Sequence, residues 1–105
     1  MYRLTVLYGV PTAPEMFDTY YHNVHIPLAR KMRGLRRWTI TPVTGGDDGS
    51  GQKFHLVADL YAEDQAAMQR IMESDEGKAA REDLANFATA GAIFVEGYEE
   101  EIELL

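Results

Sequence analysis

The chain has 105 residues, of which 46% are hydrophobic and 26% charged, the balance expected of one soluble globular domain, residues 1–105, with a core of modest size. Ten basic and 17 acidic residues give a net charge of −7, which repels phosphate backbones and argues against a nucleic-acid partner. There is no cysteine, which excludes disulfides, thiolate catalysis and thiolate metal sites.

Tyr2 to Tyr8 alternates and is rich in β-branched and aromatic residues, which predicts a strand. No stretch reaches the roughly 20 apolar residues of a membrane span, and the first ten residues lack a signal-peptide pattern. No membrane partner and a cytoplasmic location are therefore expected. Gly9, Pro11 and Pro14 punctuate a loop. From Glu15 onward Phe17, Tyr20, Tyr21, Val24 and Leu28 recur at helical spacing, with Thr12 as candidate N-cap. Pro27 removes a backbone donor and disfavours the α conformation at Ile26. A break near Val24 to Ile26 is expected, then a short second helix over Pro27 to Met32, which Gly34 ends.

Leu35 to Val43 predicts a second strand. The polar TGGDDGSGQ, Thr44 to Gln52, is too short for a crossover helix. It therefore joins antiparallel neighbours, the third strand running from Lys53 to Tyr61. Asp64 to Glu73 is helical, with Ala67, Met68, Ile71 and Met72 apolar. Ser74 reads as the N-cap of a further helix with an acidic first turn and a buried stripe at Ala80, Leu84, Phe87 and Ala88. Gly91 precedes a last strand, Ala92 to Tyr98. The basic cluster Arg30, Lys31, Arg33, Arg36 and Arg37 reads as a solvated helix end.

This β-α-β-β-α-β order predicts an α+β, ferredoxin-like fold: four antiparallel strands with both helices on one face. On the third strand Phe54, Leu56, Ala58 and Leu60 are expected beneath the helices, and His55, Val57, Asp59 and Tyr61 on the open side. That open side is half apolar, the mark of an interface or a pocket lining. Two copies stacked by these faces would close a barrel around a cavity, so a homodimer is expected.

The run F-D-x-Y-Y-H-x-x-H-x-P-L-A-R-K, Phe17 to Lys31, with G-L-R-R at Gly34 to Arg37, resembles the EthD family, named for ethyl tert-butyl ether degradation, of the dimeric α/β-barrel superfamily. FHLVADLYAED, Phe54 to Asp64, and S-D-E-G-x-A-A-x-x-D-L-A-N-F-A, Ser74 to Ala88, extend the likeness over most of the chain. The chain departs from the family's usual Pro-Gly-Leu at Arg33-Gly34-Leu35, and from its Ser-Pro-Glu-Gly at Ser74 to Gly77. Both departures concern turns and caps. The resemblance implies a small dimeric barrel; wider relatives include polyketide cyclases and dehydratases, muconolactone isomerases, and cofactor-free or haem-using oxygenases.

His25 precedes the expected helix start at Pro27, where the N-terminal dipole would lower its pKa and leave a neutral base. The EthD-like pattern has a histidine there too. Its structural alternative is to tie down backbone groups at the break. His22 and His25 lack a third ligand and make a poor zinc site. His55 and Asp59 share a predicted strand face, where the carboxylate would orient the imidazole. Tyr8, Tyr21, Trp38 and Tyr61 are candidates for an aromatic lining, with His22, His55 and Asp59 as further binding residues. With no nucleotide fingerprint or phosphate loop, no organic cofactor is expected. The leading expectation is proton-transfer chemistry (dehydration, isomerisation or cyclisation) on a hydrophobic aromatic or polyketide-like molecule. The alternatives are a non-catalytic binding or auxiliary protein of an oxidative pathway, and a cofactor-free or haem-using monooxygenase.

Overall fold

A computed structural model describes residues 1–46, 49 and 51–105. Asp47, Asp48 and Ser50, in the expected glycine-rich connection, lie outside the described residues. The period-two pattern at the start of the sequence becomes β1, Tyr2–Gly9, in which Tyr2, Leu4, Val6 and Tyr8 are buried and their alternates are not. Strand β2 is Arg37–Pro42, β3 is Phe54–Ala62 and β4 is Ala92–Tyr98. They form one sheet in the order β2-β3-β1-β4, with the pairs β1–β3, β1–β4 and β2–β3 all antiparallel. This is the expected ferredoxin-like arrangement.

Register decides which side chains meet the helices. Leu4 stands opposite Leu60, Val6 opposite Ala58 and Tyr8 opposite Leu56, and Trp38 and Ile40 extend the same rows across β2. Next to Tyr8 the ladder slips, because Gly9 pairs with Phe54 rather than with His55. His55 is the extra residue of this bulge.

Helix α1, Pro14–Tyr20, starts with proline in its first turn and Ala13 as N-cap. Thr12, the expected cap, instead donates its backbone N–H to Thr89 Oγ1 at 3.2 Å. The expected break near Ile26 is absent. The chain continues as a π-helical turn, Tyr21–His25, and then as α2, Ile26–Ala29, with His25 and Ile26 both in right-handed helical conformation. Pro27 explains the widening: in a regular helix its ring would press on the Asn23 carbonyl, and it has no N–H to give. A turn closed five residues back, by Ile26 N–H on the Tyr21 carbonyl, accommodates both problems. It also changes the phase of the helix. The buried residues become Phe17, Tyr21, His25 and Ala29, while Val24, expected in the stripe, is exposed.

The second helical layer is α3, Gln65–Glu73, and α4, Asp75–Glu82, followed by a tight 3-10 turn, Asp83–Asn86. Asp64 caps α3 by accepting from Ala67 N at 2.8 Å, and Ser74 caps α4 as expected, accepting from Gly77 N at 3.1 Å. The helices meet so closely at Ser74 that a Cβ on Gly77 would fall 2.1 Å from the Ile71 carbonyl oxygen. Glycine alone fits this joint, which sets α4 against α2 and α3. Among the described residues no helix is long and apolar enough to cross a membrane.

Candidate active site

The π turn and the 3-10 turn bring together two residues 58 apart in sequence. His25 Nδ1 lies 2.9 Å from Asp83 Oδ2, and the two side chains are only 6% and 7% exposed. Asp83 is held from other sides: Tyr20 Oη donates to its Oδ1 at 2.6 Å and Asn86 Nδ2 donates at 3.0 Å. The rings of Phe87, 4.8 Å away, and Tyr21, 5.1 Å away, pack against the imidazole. Nδ1 thus carries the hydrogen toward the carboxylate, and Nε2 is left with its lone pair.

Burial lowers the His25 pKa below its ordinary value, and the hydrogen bond and charge of Asp83 oppose that shift without cancelling it. The neutral imidazole expected from the sequence is obtained, but from burial inside a continuous helix rather than from a helix N-terminus. Burial pushes the Asp83 carboxyl up; hydrogen bonds from Tyr20, Asn86 and His25 outweigh it and hold the group below its usual range. The resting pair is therefore a carboxylate beside a neutral, oriented imidazole.

A cleft between the helices and the covered sheet face reaches His25. Its walls include Tyr8, Tyr21, His25, Trp38 and Leu84, and the exposed side chains of Arg81 and Phe94 stand at its mouth. The cavity is about 40 Å³, enough for little more than water. Two wall atoms are buried without a hydrogen-bond partner, Tyr21 Oη and Trp38 Nε1. Burial pushes the Tyr21 hydroxyl up to about 12, against a lowering by the hydrogen-bonding influence of Trp38 and Tyr8, and raises Tyr8 as well, so both phenols stay protonated.

The structure brings together four of the residues singled out from sequence, His25, Tyr8, Tyr21 and Trp38, and sets the others elsewhere. The His55–Asp59 pairing is not formed. The bulge turns His55 toward α1, where Nε2 sits 2.7 Å from Asp18 Oδ1 and the ring packs 5.0 Å from Phe17. Asp59 stays on the open face, accepting from Thr5 Oγ1 at 2.6 Å, with Arg3 at 3.8 Å. Tyr61, also on that face, donates to Glu99 at 3.0 Å beneath the Arg37 guanidinium. His22 is exposed, with Nδ1 2.9 Å from the Asp18 carbonyl oxygen. The cleft therefore lies on the covered face, opposite the side assigned to it from strand alternation. Asp83, Tyr20 and Asn86 were missed. Asp83 carried a readable signal, an acid three residues after Ala80 on the stripe that buries Ala80 and Phe87.

The EthD domain model matches residues 11–91. An uncharacterised 11.0 kDa protein from the thcB–thcC intergenic region of Rhodococcus erythropolis is 34% identical over 91 residues, 87% of either chain. The crystal structure of an ethyl tert-butyl ether degradation (EthD) family protein from Bacillus halodurans superposes with a TM-score of 0.86 at 36% identity, covering 95% of this chain and 99% of that one. SnoaB, a cofactor-independent oxygenase from Streptomyces nogalater, shares the fold alone, with a TM-score of 0.62 at 12% identity over 96% of this chain and 94% of that one. With the domain matched over residues 11–91 and a relative 34% identical over 87% of its length, the chain belongs to the EthD family.

Proposed function

We propose that the chain is a cofactor-independent enzyme performing proton transfer on a hydrophobic, aromatic small molecule, with His25 as general base and Asp83 as the residue that orients it. The observation that carries this reading is the buried His25–Asp83 hydrogen bond of 2.9 Å, with His25 at the wall of a largely apolar cleft. A carboxylate on Nδ1 fixes the tautomer that presents a basic Nε2 to a bound molecule. Nε2 takes a proton from an acidic carbon. The C–H electron pair becomes the carbon–carbon double bond of an enolate, and the imidazolium returns the proton to another carbon or to a departing hydroxyl. Isomerisation, cyclisation and dehydration all start from that step.

A second copy of the chain covers the open sheet face in this reading. Its support is the exposure of Ile93, 53%, and Val95, 52%, beside the half-buried Leu7 and Val57. Oxygenation without a cofactor is the second chemical reading, supported by the fold shared with SnoaB. It begins with the same deprotonation, the carbanion then reacting with dioxygen.

The test is deuterium wash-in. Polycyclic phenolic ketones are incubated with the protein in D2O and followed by proton NMR. Exchange at the acidic carbon is expected in the wild type and reduced about 10²- to 10⁴-fold in His25→Ala, the usual range for a lost general base. Ligands that bind with equal exchange in both proteins would sink the enzyme reading and leave a binding or auxiliary protein.

A further inference from the structure

We infer that the molecule bound beside His25 docks a carbonyl or phenolic oxygen between Tyr21 Oη–H and Trp38 Nε1–H, which hold the negative charge that oxygen gains when the neighbouring carbon loses its proton. The inference rests on the proton-transfer reading and narrows its substrate class to enolisable aromatic ketones and phenols.

The argument begins with two groups that break the rule for protein interiors. Buried polar atoms nearly always have partners, because an orphaned donor forfeits its hydrogen bond to water and costs roughly 1–3 kcal/mol. Among the described residues the only buried side-chain polar atoms without one are Tyr21 Oη and Trp38 Nε1. They are not scattered: Trp38, with Tyr8, stands near enough to the Tyr21 hydroxyl to lower its pKa without meeting it at hydrogen-bond geometry, and both residues belong to walls of the cleft that His25 lines. Tyr21 is 1% exposed, so bulk water does not serve its hydroxyl. The Tyr21 ring stands 5.1 Å from the imidazole and 5.7 Å from the Tyr8 ring, in a wall where the phenols remain protonated.

Chemistry supplies the missing partner. Both atoms donate, and Trp Nε1–H cannot accept. A ligand atom that satisfies both must therefore be an acceptor, and two donors aimed at one acceptor favour it most when it carries charge. When His25 Nε2 removes a proton from carbon, the electron pair shifts and the charge settles on an oxygen two bonds away. A base and a pair of donors on adjacent walls match that separation of roles. Apart from Arg81 and the Tyr8 hydroxyl the rest of the cleft is apolar, which strengthens the donors.

The test uses 4-nitrophenol, whose absorption distinguishes phenol from phenolate near neutral pH. The wild type is expected to bind the phenolate more tightly than the phenol, so that the bound probe ionises at a lower pH than the free one. Tyr21→Phe and Trp38→Phe should each weaken phenolate binding about ten- to a hundredfold, the worth of a hydrogen bond to a charged group. Tyr21→Phe should melt no lower than the wild type, because the hydroxyl it removes has no partner. Phenolate binding unchanged within twofold in both variants overturns the inference. So does a probe that shows no phenolate preference or no binding at millimolar concentration, and so does a lower melting temperature of Tyr21→Phe, which would reveal a structural partner for its hydroxyl. His25→Ala separates this inference from the reading beneath it: the phenolate preference persists there, whereas loss of the proton-transfer reading appears as wash-in that ignores His25.

Discussion

The two faces of the sheet come from the same strands and differ in what they leave unfinished. On the covered face the rows are apolar apart from Glu96, whose carboxylate accepts from Tyr2 Oη, and the polar atoms of Tyr20, His25 and Asp83 are tied to one another. Two donors there have no partner. On the open face Arg3, Thr5, Asp59, Tyr61 and Glu99 satisfy each other; apolar surface is unfinished instead, at Ile93 and Val95. Unsatisfied donors call for a polar atom of a ligand, and uncovered hydrocarbon calls for another protein surface. In the proposed reading the cleft takes a small molecule and the open face a second copy, two roles that the strand pattern alone would have merged.

The sharpest way to break this comparison replaces one aspartate on each face. Asp83→Asn keeps size but no longer fixes the imidazole tautomer, and His25-dependent exchange is expected to fall by about a hundredfold or more. Asp59→Asn, on the other face, should change it less than twofold. The pH dependence refines the result. Because burial holds His25 below its ordinary value of 6.5, the base stays neutral and active as pH falls through 6.5, and exchange declines only at lower pH. In that same window the unfolded chain binds a proton that the native chain refuses, so stability decreases as pH falls from 6.5 through the lowered native pKa. Asp83 works against burial at His25, so Asp83→Asn should move the acid limb lower still. A limb at or above 6.5 in the wild type would count against the buried neutral base.

The next effect is on assembly. Leu7 sits between Val57 on β3 and Ile93 on β4, with Val95 one row along. Leu7→Asp or Val95→Asp puts a charge at the centre of the proposed contact, where an unpaired carboxylate is costly. Sedimentation at micromolar concentration should show wild type at twice 11.8 kDa and the variants shifted toward a single 11.8 kDa chain. Identical sedimentation of all three proteins, whatever the mass, would remove the open face from the interface.

The fold was legible because its signals are local and repeated: alternation in β1, capping at Ser74, and a connection between β2 and β3 too short for a helix. The site was legible only in part. Its principal residue stood out because His25 neighbours Pro27, but the proline widens the helix rather than breaking it. One extra residue in a turn rotates the buried stripe from Val24 to His25, and no hydrophobic period announces that. The partner acid was hidden by distance, since nothing within 58 residues of chain says which carboxylate an imidazole will meet. His55 and Asp59 looked like that pair because strand alternation was taken as unbroken. The slip beside Gly9 reverses the direction of His55, and a glycine at the end of a strand was the available hint.

The smallest expected effect tests the division of the two faces most directly. Tyr61 lies under the Arg37 guanidinium, 5.5 Å from its ring centroid, and shares the Glu99 carboxylate with Arg3. Tyr61→Phe keeps the ring, its packing and the cation above it, and removes one hydrogen bond at a half-exposed carboxylate. Such bonds contribute about 0.5 kcal/mol, which lowers the melting temperature by roughly 2–4 °C in a domain this size. Exchange catalysed at His25 should not change, because the sheet itself stands between Tyr61 and the cleft. A tenfold loss of exchange in this variant would mean that the open face helps to build the reaction chamber, and the separation between a face for a ligand and a face for a partner would fail at the position least able to disturb anything else.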